Sequence, residues 1–72
     1  MPIKLLIIEN IKKYRVIRGM TQEELSLRIG KRDDFITKLE NKEILKDLSL
    51  ELADQIAQVL NVKVRDLAED EE

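Results

Sequence analysis

The chain is 72 residues long, 43% apolar and 39% charged, with a formal net charge of -2 and neither Cys nor His. Such a length supports one domain at most, and a domain of that size buries roughly 60% of its unfolded surface. Without cysteine there is no disulfide and no thiolate metal site, and without histidine the commonest general base and metal ligand are gone.

No apolar run approaches the roughly 18 residues of a membrane span. The opening "MPIKLLIIEN" has one Lys, a four-residue apolar run and no small-residue cleavage site, so it does not read as a signal peptide. These features predict a soluble, cytoplasmic protein. The charge is unevenly spread. Residues 1–32 hold eight Lys/Arg against three Asp/Glu, and residues 33–72 hold five against twelve. The final "EDEE" reads as a solvated acidic tail, residues 69–72, behind a domain of residues 1–68. A mildly basic first half is compatible with a nucleic-acid partner.

Helix formers dominate, and Asn-Gly or Asp-Gly hairpin signals are absent. The first helix is expected from about Ile7 to Arg18, with Ile7, Ile11 and Tyr14 on one stripe and Gly19 as its stop. The second opens at Thr21, which forms a capping box with Glu24, buries Leu25 and Ile29, and ends at Gly30. The third covers roughly Asp33 to Glu40, after a link of about three residues, and turns Ile36 and Leu39 inward. Ile44 and Leu45 pin the polar connection "NKEILKD" to the body. Ser49 caps the fourth helix, whose Leu50, Ala53, Ile56, Ala57 and Leu60 form an apolar stripe before Asn61. A short fifth helix near Val64 to Ala68 closes the core with Val62, Val64 and Leu67. The expectation is an all-α domain of five short helices, with a helix-turn-helix unit at about residues 21–41.

The succession "IKKYRVIRGMTQEELSLRIG…ITKLEN…LSLELADQIAQVLNVKVRDL" resembles the lambda-repressor-like helix-turn-helix domain, the Cro or XRE family. The resemblance covers about residues 9–68. It rests on Ile11 and Arg15, the Gly19-x-Thr21-Gln22-x-x-Leu25 segment, Gly30, Ile36, Leu39, Glu40, and Ile56-Ala57-x-x-Leu60-x-Val62. It implies a transcriptional regulator, a repressor in most readings, that binds double-stranded DNA. Stand-alone domains of this kind are similar to phage repressors, mobile-element regulators and antitoxins, and an antitoxin would also meet a toxin. By position, Gln22 would clamp a phosphate at the start of the second helix, with Thr21 beside it. The third helix would enter the major groove, presenting Arg32, Asp33, Asp34, Thr37 and Lys38 to base edges. Lys31, Asn41 and Lys42 would touch the backbone. Arg15 and Glu40 match the family's ion pair between the first and third helices. The chain departs from the family at Arg32, Asp33 and Asp34, and at Lys42, where the family usually has Gly.

Several residues carry more than one reading. Asp33 or Asp34 can cap the third helix, accept a hydrogen bond from cytosine N4, or meet a basic protein. Phe35 either presses on a thymine methyl or tucks against the neighbouring helix. Leu5, Leu6, Ile8, Val16 and Ile17 exceed what one helix stripe needs, and read either as a larger core or as a homodimer interface. No phosphate loop, metal spacing or nucleophile–base pair is present, so an enzyme is not expected and no cofactor is implied. The alternative function is a protein–protein interaction module on the same fold, with DNA binding weakened or lost.

Overall fold

The computed structural model describes residues 2–70. Glu71 and Glu72, half of the expected acidic tail, lie outside the described residues; Glu69 and Asp70 are exposed. Five α-helices occur among the described residues: α1 (Ile3–Ile17), α2 (Gln22–Arg28), α3 (Phe35–Glu40), α4 (Leu50–Leu60) and α5 (Val64–Leu67). One 3-10 turn, Leu45–Asp47, lies in the connection to α4. The all-α expectation holds.

Four helices end with the same backbone device. Gly19, Gly30, Lys42 and Asn61 take left-handed φ values of 68°, 75°, 65° and 59°. In each case that residue's N–H reaches back to a carbonyl three residues earlier, and the next N–H reaches back five. Glycine and asparagine accept this conformation readily. Lys42 does not, because a left-handed L-residue brings Cβ against its own carbonyl at a cost of roughly 1–2 kcal/mol.

Helix starts are more varied. The Thr21 hydroxyl accepts the Glu24 N–H at 3.0 Å, as the sequence indicates, but the Glu24 carboxylate turns away to Arg28 at 3.2 Å. The expected capping box is thus half formed. Ser49 caps α4 through the Leu52 N–H at 3.0 Å. α1 starts at Ile3, four residues earlier than its apolar stripe suggests. Pro2 precedes it, and the Pro2 carbonyl accepts the Leu6 N–H at 3.1 Å, so the proline that cannot donate sits where no donor is needed.

The core gathers Ile8 and Ile11 from α1, Leu25 from α2, and Ile36 and Leu39 from α3. Leu48, five α4 residues and Leu67 complete it. Ile7, Tyr14, Ile44 and Leu45 pack against it from the edge. Ile8 is 1% exposed, which removes it from the candidate dimer interface: it belongs to this chain's own core. Leu5 and Leu6 are half-buried on the same longer helix. Two polar side chains, one in α1 and one just past its end, satisfy carbonyls at the ends of other helices. Buried Asn10 donates to the Leu67 and Glu69 carbonyls at 2.6 and 3.0 Å, and Arg18 Nε donates to the Leu60 carbonyl at 2.8 Å.

The link between α2 and α3 is longer than the sequence suggests, six residues against about three. α3 begins at Phe35 rather than Asp33, and the carboxylate of Asp34, at the cap position, makes no capping bond. Ser26 of α2 does the capping instead. Its hydroxyl is fully buried, donates to the Gln22 carbonyl at 2.8 Å and accepts the Ile36 N–H at 2.9 Å. One hydroxyl therefore sets where α3 leaves the turn. Expected from this geometry, Ser26→Ala leaves a buried N–H without its acceptor and costs roughly 1–3 kcal/mol in urea unfolding, despite alanine's better helix propensity. Lys42→Gly, by contrast, is expected to raise stability by about 0.5–1 kcal/mol in the same assay, since relief of the left-handed strain exceeds the added freedom of the unfolded chain.

Candidate nucleic-acid interface

The residues singled out in the sequence assemble around the N-terminus of α2 and one face of α3. On α3, the spacing i, i+3, i+4, i+7 puts Asp34, Thr37, Lys38 and Asn41 on one stripe. Ile36 and Leu39, on the opposite side, are fully buried. The helix is thus held by its apolar side and shows a polar side to solvent.

A hydrogen-bonded cluster anchors this arrangement. Arg15 Nε donates to Glu40 Oε2 at 2.8 Å and Nη2 donates to Oε1 at 3.1 Å, a bidentate pair between α1 and α3. Its side chains are 11% and 4% exposed. Arg15 Nη1 also donates to the Met20 carbonyl at 2.8 Å, tying down the turn between α1 and α2. Gln22 joins from α2: its Nε2 donates to Glu40 Oε1 at 2.8 Å, and its Oε1 accepts from the Thr37 hydroxyl at 3.0 Å. The ion pair expected between Arg15 and Glu40 is therefore present, and it is larger than a pair. Thr37, expected among base-facing residues, spends its only hydroxyl proton on Gln22.

The two aspartates differ from each other. Asp34 lies 3.4 Å from Lys38 Nζ, one turn along α3, and 3.9 Å from Arg32 Nε. Asp33 is exposed and has no partner among the described residues. Neither caps the helix, because Ser26 already holds the N–H that a cap would take. Half-exposed pairs such as Asp34–Lys38 add little stability, roughly 0–1 kcal/mol.

Phe35 is half-buried against the core, with Lys31 Nζ 5.3 Å from its ring centroid, so the tucked arrangement is the one adopted. Arg32, Lys38, Asn41 and Lys42 are exposed. Asn41 Nδ2 lies 3.5 Å from a Glu43 carboxylate oxygen, and Lys42 Nζ lies 3.9 Å from Glu9 Oε2. Of the four cations in this region, Arg32 and Lys38 lie against Asp34, Lys31 over the Phe35 ring and Lys42 near Glu9. Thr21 is exposed beside Gln22, its hydroxyl held by the Glu24 N–H. Away from this face, Val16 and Ile17 remain about as exposed as surface residues, at 60% and 59%, and Leu50 reaches 76%.

Sequence reasoning missed Ser26 and Asn10. Both lie on stripes that the sequence displays. Gln22, Leu25, Ser26 and Ile29 follow i, i+3, i+4, i+7, as do Ile7, Asn10, Ile11 and Tyr14. A small polar residue inside an apolar stripe was the available signal. Among the described residues no group of His, Cys, Asp and Glu is arranged to hold a metal ion, and no helix is long and apolar enough to cross a membrane.

Comparison with known proteins agrees with this architecture. The helix-turn-helix family model matches residues 11–67. Two Archaeoglobus fulgidus proteins, each named "Uncharacterized HTH-type transcriptional regulator", are 44% and 42% identical over 57 residues. Those residues are 79% of this chain and 78% and 79% of the relatives. Among solved structures, a hypothetical transcription factor from Neisseria, NHTF, superposes with a TM-score of 0.85 at 23% identity, covering 96% of this chain and 77% of that one. Hydroxypropylphosphonic acid epoxidase from S. wedmorenis gives 0.80 at 24% identity, over 92% of this chain but 34% of the enzyme. At these identities the two structures speak for the fold alone. The family match and the archaeal relatives go further, and with Thr21, Gln22, Gly30 and the Arg15–Glu40 pair in place they identify this chain as a member of the Cro/C1-type helix-turn-helix family.

Proposed function

We propose that the chain is a sequence-specific DNA-binding transcriptional regulator that works as a homodimer. The observation that carries this reading is the α3 stripe of Asp34, Lys38 and Asn41, exposed on one side and anchored on the other through Glu40 to Arg15 and Gln22. α3 lies in the major groove, and Gln22 and Lys42 contact phosphates on either side of it. Lys38, paired with Asp34, and Asp33, unpartnered at the leading end, are the side chains best placed for base edges. Asp33 can accept from cytosine N4, and Lys38 can donate to guanine O6 or N7. Repression follows from occupancy of an operator, and a two-fold protein reads a palindromic one.

A second reading keeps the fold and replaces DNA by a basic protein partner that meets Asp33 and Asp34. Exposed Asp33 favours it. The two separate in a selection of binding sites from a randomised duplex pool, run at low and at physiological salt. A regulator yields a palindromic motif, and its affinity falls with salt as phosphate contacts release counterions. Gln22→Ala is expected to weaken binding to every sequence by about tenfold, as loss of a phosphate hydrogen bond implies, while Asp33→Asn shifts preference at one base position. Absence of enrichment at either salt would instead support the protein-binding module.

A further inference from the structure

Gln22 has an amide whose two ends are nearly impossible to tell apart by shape, yet its neighbours leave a single assignment. Glu40 Oε1, 2.8 Å away, belongs to a carboxylate already receiving two Arg15 N–H groups, so it accepts and the Gln22 atom facing it is Nε2. Oε1 then faces the Thr37 hydroxyl at 3.0 Å, and Thr37 must be the donor. One Nε2 hydrogen is used on Glu40. The other has no partner among the described residues, on a side chain that is partly open to solvent.

From this we infer that Thr37 is a positioning residue for the phosphate contact and not a reader of bases. Together with Glu40 it locks the Gln22 amide so that a single N–H remains for a phosphate oxygen. The inference rests on the DNA-binding reading above and assigns Thr37 a different task from its neighbours Lys38 and Asp34 on the same stripe. It also couples two parts of the surface. Gln22 belongs to α2, Thr37 to α3, and the hydroxyl between them fixes the distance from phosphate to groove.

Thr37→Val removes the hydroxyl and keeps the shape, whereas Thr37→Ser keeps the hydroxyl. Two readouts are needed: affinity and base preference across a selected pool, and the side-chain amide signals of Gln22 in the free protein by NMR. Thr37→Val is expected to weaken binding about three- to tenfold on all sequences alike, the equivalent of one hydrogen bond. Its Gln22 amide signals are expected to move toward those of a free glutamine. Thr37→Ser is expected to restore both. In a Gln22→Ala background Thr37→Val is expected to cause no further loss, since it acts through Gln22. A change in the preferred base at one position, with the Gln22 signals undisturbed, would overturn the inference and make Thr37 a reader. Unchanged affinity with unchanged signals would overturn it too. If the wild-type protein binds no duplex at any salt, the DNA-binding reading fails and the inference falls with it; that result is seen before any variant is made.

Discussion

The ion pair between Arg15 and Glu40 is the contact on which the functional surface depends. It is bidentate and nearly shut off from water. Such a pair brings little net stability by itself, because desolvation opposes the Coulomb attraction. Its value here is geometric. Arg15 belongs to the longest helix and also grips the Met20 carbonyl, while Glu40 is the last residue of α3. A guanidinium presents its donors in a rigid fork, so the pair sets the angle of α3 as well as its position. Gln22 and Thr37 then extend the same cluster onto α2. A helix of six residues is too short to hold itself, and α3 is placed by this cluster at one end and by Ser26 at the other.

Much of this was legible in the sequence, for local reasons. Gly19 and Gly30 mark helix ends because left-handed backbone favours glycine, and Thr21 and Ser49 mark helix starts because a short hydroxyl reaches its own first turn. The apolar stripe of α4 gives burial directly: Ala53, Ile56, Ala57 and Leu60 are all core residues, while Leu50 at its open end is not. The Arg15–Glu40 pair came from resemblance, since 25 residues of separation leave no local trace.

What escaped the sequence reading depends on contacts between elements. Asp33 looked like the natural cap for α3, since aspartate is a favoured capping residue. A serine in the middle of another helix took that place, and its partner lies ten residues away. Asn10 has the same character, a polar residue that satisfies the end of α5 across the fold. Ile8 reads as surplus beside the Ile7–Ile11–Tyr14 stripe, yet it lies three residues before Ile11 on the same face of α1 and is buried, so the inward face is wider than those three residues. Lys42 shows the reverse case. Its departure from glycine is visible, but only the backbone reveals that it holds a strained conformation at the end of α3. Strain of that kind tends to persist where a side chain has work to do.

Asp34 is less of an obstacle to a polyanion than its charge suggests, because Lys38 and Arg32 both lie against it. The most direct test of the central claim, that α2 and α3 present one surface to duplex DNA, is a titration of the labelled protein with duplex DNA at low salt, followed by backbone amide NMR. The account requires the largest shifts at residues 21–22 and 31–42, with the α4–α5 surface around Leu50 and Val64 little changed. Shifts centred on α4 and α5, or none at all, would contradict it.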